Sequence, residues 1–338
     1  MRHGFEVWHD ASRLEGRSDK EALDKLTVPT IIHTKGNDSR RAVLVSVIIH
    51  GCEPCGFRAM LKELEKKETY PIDVYWLVGN PKSAKVEPLF TNRLVPGGEN
   101  YNRTWTAERP STEDQKLCAD LWDHLTKLPI IAHLDLHSFT ATDTSPHAIT
   151  VADDAKTLDL AKKLAPYVFV MDCQLGALIE RTRAKGPSLV VECGTNNSPE
   201  ADKFAQDALE RFFVQVGIRN GENNTIAHQV FVHAINVKVK PDASVVWANS
   251  ADPKVKLTLR QDVAQLNIRE LSKGDPLGWT DSLDCFKVID KNGPMDPSEI
   301  FELKKGQILL KNPFVPNLMV AKETIAKESG FYLFTKRN

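Results

Sequence analysis

Val45-Ser46-Val47-Ile48-Ile49-His50-Gly51-Cys52-Glu53-Pro54-Cys55-Gly56 runs from β-branched residues straight into glycine-punctuated polar ones. The β-branched run predicts a buried strand. Its abrupt end places His50 and Glu53 at the strand's carboxyl edge, where open α/β sheets build their sites. The turn carries two chemistries. His50-x-x-Glu53 is a pair of metal ligands three residues apart, and Cys52-x-x-Cys55 on a strand-to-helix turn is a thiol redox pair.

Outward from this stretch, strand-like runs alternate with helical ones. Ala42 to Ile49, Ile72 to Val78, Ile130 to Leu136, Ala148 to Val151, Tyr167 to Met171 and Ser188 to Val191 are short, apolar and mostly β-branched. Phe57, Met60, Leu61 and Leu64 fall on one face of a helix between the first two. Thr112-Glu-Asp-Gln115 reads as a capping box opening a helix whose face carries Leu117, Leu121, Leu125 and Leu128. Ser198-Pro199 is an N-cap followed by proline at the first helical position. It opens a helix buried through Ala205, Ala208, Leu209, Phe212 and Val216. The alternation predicts an α/β fold with a mostly parallel sheet covered on both faces.

The pattern changes after Arg219-Asn-Gly-Glu-Asn-Asn224, a turn-rich stretch that reads as a linker. Beyond it Phe231, Ile235, Val237 and Val239 share one face at period two, with His233 among them, and later runs are bounded by Gly and Pro. We expect two domains, a catalytic one over 1–222 and a smaller, mainly β one over 223–338. A chain of 338 residues has room for both cores.

Composition excludes several classes. Hydrophobic content of 41% and charged content of 26% are globular values, and a net charge of −1 without a basic block gives no footprint for nucleic acid. The first residues lack the apolar core of a signal peptide, and no apolar run is long enough to cross a bilayer. Six scattered cysteines suit reduced thiols in a cytoplasmic protein rather than a disulfide scaffold.

Further polar residues stand where a buried strand should have none. In Ile130-Ile-Ala-His133-Leu-Asp135-Leu-His137, period two puts His133, Asp135 and His137 on one face, and such residues are costly to bury unless paired or bound to metal. His137 lies at the same rim as His50. Asp135 is placed to orient a neighbour, and His133, deeper in the strand, reads as a satisfied core histidine. Ser188-Leu-Val-Val-Glu192 ends another apolar strand in a carboxylate, placed either as a general base or as a rim residue with no role. Arg93, Asn102, Arg103, Arg181 and Arg183 sit in loops, where a guanidinium fork suits a carboxylate or a developing oxyanion. Any one of the arginines taken alone reads as a solvated surface residue.

Taken together, His50-Gly-Cys-Glu53, Asn102-Arg103, Asp135-Leu-His137 and Glu192-Cys-Gly194 resemble the succinylglutamate desuccinylase/aspartoacylase family, and Gly274-Asp-Pro-Leu277 resembles a loop common there. The resemblance implies a zinc-carboxypeptidase-like α/β domain with a smaller β domain. It implies one Zn2+ per chain, held by His50, Glu53 and His137. Glu192 becomes the base that takes a proton from water and passes it to the leaving amine. Arg93 would polarise the scissile carbonyl, while Asn102, Arg103 and Arg181 would hold substrate carboxylates. The implied activity is hydrolysis of a non-peptide linear amide in a small anionic N-acyl amino acid, with no nucleic-acid or membrane partner and with room for a homo-oligomer. Three departures bear on specificity: Cys52 replaces an asparagine common between the ligands, Ala177 stands near a tyrosine of aspartoacylase, and Lys322-Glu-Thr-Ile-Ala326 stands in place of the family's Asn-Glu and tyrosine pair in the closing segment. Two other readings stay open, a carboxypeptidase-like metallopeptidase acting on a peptide C-terminus and a Cys52/Cys55 thiol–disulfide oxidoreductase.

Overall fold

The computed structural model describes residues 4–140, 145–151 and 153–337. The chain divides into two compact units. The first comprises 1–138, 146–168 and 175–228, and the second 139–145, 169–174 and 229–338.

The first unit is built on a mixed sheet. Its strands are β1 (Glu6–Trp8), β2 (Thr30–Thr34), β3 (Asp38–Val47), β4 (Ile72–Val78), β5 (Ile130–Phe139), β6 (His147–Thr150), β7 (Tyr167–Val170) and β8 (Ser188–Thr195), in spatial order β1-β2-β4-β3-β5-β8-β6-β7. The central β3 runs parallel to both β4 and β5, while β2–β4 and β6–β8 are antiparallel. The six strands expected from the sequence are all present, and antiparallel neighbours make the sheet mixed.

Helices cover both faces, as the double-sided burial of β3 and β4 demands. Leu44, Leu77 and Ile130 pack under α4 (Glu113–Thr126) through its buried Cys118, Leu121 and Leu125. On the opposite face lie α2 (Cys55–Glu65), with Phe57, Met60, Leu61 and Leu64 buried, and α7 (Pro199–Gln215), with Ala205, Ala208, Leu209 and Phe212 buried. The ring of Phe213 meets Trp76 of β4 edge-on at 6.1 Å. Ser198 caps α7 by accepting from the Ala201 N–H, with Pro199 at the first turn. The α4 cap is half of the expected box: Thr112 accepts from the Gln115 N–H, but the Gln115 side chain reaches past it to the Ser111 N–H. Arg219 is clamped rather than free, donating to Glu63, Glu68 and Glu210, and the chain from 220 to 228 is irregular.

The second unit is β-rich. Strand β9 (Gln229–Val239) pairs antiparallel with β13 (Phe286–Asp290) and β18 (Phe331–Lys336), and β10 (Val245–Ala248), β11 (Leu257–Arg260), β12 (Pro276–Thr280), β16 (Gln307–Leu310) and β15 (Phe301–Lys304) form a second sheet. Val237, Leu257, Leu277, Phe286, Phe301, Ile308 and Leu333 fill its core. His233 departs from the expected alternation. Its φ is +59°, and His233 and Ala234 of β9 together oppose the single Phe334 of β18, so a bulge turns the ring out to 65% exposure. Among the described residues no helix is long and apolar enough to cross a membrane.

Candidate metal centre

Three strand ends and one loop build the site, all within the first unit. The carboxyl end of β3 leads through Ile48, a β-branched residue held at φ +49°, into His50. Such a conformation costs about 1–3 kcal/mol and persists only where its surroundings impose it. Here the Asn80 N–H donates to the Ile48 carbonyl at 2.6 Å, and the Gly51 N–H donates to the Arg93 carbonyl at 2.9 Å. Gly51 is needed for that approach, because a Cβ there would lie 2.5 Å from Ser83 Cβ and 2.6 Å from both Ala84 N and Asn92 O. The turn then presents Glu53 before α2 begins.

His50, Glu53 and His137 converge, with one donor atom from each within 4.8 Å of the others, and all three are buried. Glu53 bridges the two rings: Oε1 lies 2.9 Å from His50 Nδ1, and Oε2 lies 2.7 Å from His137 Nδ1. The first contact is not aligned as a hydrogen bond, so His50 Nδ1 is a buried nitrogen without a hydrogen-bond partner. Burial, with the Arg93 charge beside it, pushes the His50 pKa down to about 4, which leaves the ring neutral. Burial works to raise the Glu53 pKa, but the two histidines outweigh it and hold the carboxyl well below its ordinary range. His137 is lifted well above an ordinary histidine, since Asp135 and Glu53 outweigh its burial. Two imidazoles and an ionised carboxylate with Nδ1 atoms facing inward suit a divalent cation, and three protein ligands of this kind leave a position open.

The surrounding residues crowd onto this group. Arg93 donates to Glu53 Oε1 at 2.7 Å and lies 2.9 Å from His50 Nε2. Asn100 Oδ1 is 2.9 Å from the same Nε2, and Asn102 Nδ2 is 3.1 Å from His137 Nε2. Glu192 is buried, its Oε2 has no hydrogen-bond partner, and the charges nearest in effect are His137, Glu53, Arg93 and Asp135. Burial above all raises its pKa to about 8. Directly opposite it on β6 stands the buried His147.

Arg103 and Arg181 lie on segments that meet, and Arg181 stands on a short helix rather than in the loop expected for it. Arg103 donates to the Asn102 carbonyl at 2.6 Å, and the short helix α6 (Leu178–Thr182) carries Arg181, whose Nε donates to the Trp105 carbonyl at 2.9 Å. Gly176 holds the two loops together: its carbonyl accepts from the Trp105 N–H at 3.1 Å, and a Cβ on it would lie 2.5 Å from the Arg103 carbonyl oxygen. Arg183 turns elsewhere, donating to the Val151 carbonyl at 2.9 Å.

The two thiols of the Cys52-x-x-Cys55 turn face different partners. Cys52 Sγ accepts from Asn196 Nδ2 at 3.5 Å, whereas Cys55 donates to the His137 carbonyl at 3.4 Å and neighbours the Cys193 thiol; all six cysteines are buried and none is in a disulfide. Three participants escaped sequence reasoning. Asn100 stands beside a residue that drew attention for its motif alone, and His147 has no signal without the β6–β8 register. Ser46 did have one, a hydroxyl in the middle of a β-branched strand.

No family model and no curated protein matches the sequence, whereas solved structures do. A succinylglutamate desuccinylase/aspartoacylase from Rhodobacter sphaeroides superposes with a TM-score of 0.59 at 15% identity, covering 91% of this chain and 88% of that one. A succinylglutamate desuccinylase from Vibrio parahaemolyticus gives 0.59 at 13% identity over 90% and 86% of the two chains. A succinylglutamate desuccinylase from Silicibacter sp. TM1040 gives 0.54 at 14% identity over 91% and 88%. The likeness spans both compact units, and the chain has the fold of the succinylglutamate desuccinylase/aspartoacylase proteins.

Proposed function

We propose that this protein is a zinc-dependent hydrolase that cleaves the amide bond of a small, anionic N-acyl amino acid. The observation that carries the reading is the convergence of buried His50, Glu53 and His137 beside a buried Glu192 whose outer oxygen has no partner. A divalent cation held there supplies Lewis acidity, which lowers the pKa of water from about 15.7 towards ~7 and polarises a carbonyl.

The chain's own residues do the rest. Glu192, at about 8 by burial, is poised near neutrality to take a proton from water and return it to the departing amine nitrogen. Arg93 brings a fixed cation to the ligand cluster, where it stabilises negative charge developing on the carbonyl oxygen. One well-aimed donor of that kind is worth about 3 kcal/mol. Arg103 and Arg181, tied to one pair of loops, offer two guanidinium forks for substrate carboxylates. The fold shared with succinylglutamate desuccinylases supports the substrate class.

Metal analysis of the purified chain, followed by assays on acetyl-, succinyl- and longer-acyl amino acids against short peptides, tests the reading. We expect about one zinc per chain and turnover of one acyl amino acid. A metal-free chain that resists loading removes the proposal, and peptide cleavage from a free C-terminus replaces the substrate class with that of a carboxypeptidase.

A further inference from the structure

Beneath the ligands, on the α4 face of the sheet, a row of buried polar side chains crosses from α6 to β5. Thr182 Oγ1 lies 2.8 Å from His133 Nδ1, His133 Nε2 lies 2.7 Å from Ser46 Oγ, and Ser46 donates to Asp135 Oδ1 at 2.5 Å. Thr182, His133, Ser46 and Asp135 are each fully buried. The row ends at Asp135 Oδ2, which has no hydrogen-bond partner and sits 3.0 Å from His137 Nε2.

Proton counting gives the row a direction. The single Ser46 proton goes to Asp135 Oδ1, so the Ser46 oxygen must accept from His133 Nε2–H. Burial pushes the His133 pKa down to about 4, so the ring carries no second proton, and Nδ1 accepts from the Thr182 hydroxyl. One tautomer of His133 satisfies the whole row. A core histidine needs none of this, and four buried polar groups cost more than apolar ones of the same size unless every bond is made.

We propose that Thr182, His133 and Ser46 form a directional hydrogen-bond wire that locks Asp135 as the acceptor for His137 Nε2–H, making His133 a positioning residue for the metal site. The inference rests on the metal-site reading above. A ring that ligates through the Nδ1 facing Glu53 must carry its proton on Nε2, and Asp135 Oδ2, 3.0 Å away and without another partner, is the carboxylate oxygen within its reach. Carboxylate acceptors of this kind orient metal-binding histidines, and losing their support typically costs 10–100-fold in metal affinity.

The test uses the full chain stripped of metal, with Zn2+ and Co2+ affinities read by competition with a chromophoric chelator. We expect His133→Leu to weaken both about 10- to 100-fold. His133→Gln, whose amide nitrogen can still donate to Ser46, should recover most of the loss. Thr182→Val should weaken binding less, since it removes only the far end. Long-range 1H–15N correlation of the metal-free chain should show His133 protonated at Nε2 from neutral pH down to about 5. His133→Leu binding metal like the parent, or His133 protonated at Nδ1, overturns the wire. If His133→Leu does not fold, Thr182→Val and the tautomer decide. Failure of the parent chain to bind any divalent ion sinks the metal reading instead, and the tautomer measurement then still judges the row itself.

Discussion

Replacing Glu192 by glutamine should stabilise the metal-free protein while abolishing turnover, and the size of the effect should depend on pH. Burial raises this carboxyl from its ordinary 4.5 to about 8. The folded protein therefore holds the proton more tightly than the unfolded chain does. Stability from this group is fully present below about pH 4 and is lost as pH rises towards the folded value, levelling above it. At ~1.4 kcal/mol for each pH unit of mismatch, the penalty is about 3 kcal/mol at pH 7 and about 5 kcal/mol at pH 9. Glutamine never ionises, so Glu192→Gln removes the penalty and leaves stability near pH 4 almost unchanged. Urea unfolding of parent and variant at several pH values between 4 and 9 reads the difference directly. The gap should open with pH, and added zinc should narrow it, because a nearby cation favours the carboxylate. Parallel stability profiles would refute the claim that burial holds the Glu192 pKa above its ordinary value. A variant retaining near-normal turnover would remove it as the base.

Four further outcomes can be checked on the same protein. His137→Ala removes one of three proposed ligands and should lose stoichiometric zinc on metal analysis; retained zinc would mean another residue completes the site. Arg103→Ala should raise KM for anionic substrates several-fold with kcat little changed, and equal damage to uncharged amides would exclude a carboxylate clamp. Gly51→Ala places a methyl 2.5–2.6 Å from three atoms, Ser83 Cβ, Ala84 N and Asn92 O, two of them backbone. It should cost about 1–3 kcal/mol in thermal unfolding and weaken zinc binding with it. Cys52→Ser should leave hydrolysis and metal content intact; loss of turnover with zinc retained would bring the thiol chemistry back.

The fold was legible because its strands announce themselves. β3, β4, β5 and β8 are buried on both faces, so their sequences are near-continuous apolar runs, and α2 and α7 show a single periodic face. What escaped depends on pairing between distant segments. The bulge that expels His233 arises from the register of β9 against β18, about a hundred residues away, and no local pattern carries it. The Gln115 side chain likewise chose Ser111 over the residue before its own helix, a difference of one N–H.

The site divides along the same line. His50 and Glu53 are readable because one turn carries both, and His137 because a charged residue on an apolar strand is conspicuous at once. Arg93 is different. Sequence places it in a loop among other arginines, and only the structure puts its guanidinium on Glu53 and His50 themselves. That contact has a physical consequence. Glu53 is a buried carboxylate held ionised by the two imidazoles, and the Arg93 guanidinium also pairs with it at 2.7 Å. A divalent cation bound by the same oxygens competes with the guanidinium for them. Metal at the proposed site would therefore release the Arg93 guanidinium from Glu53, which suits a side chain whose proposed task is to meet the substrate carbonyl rather than a ligand.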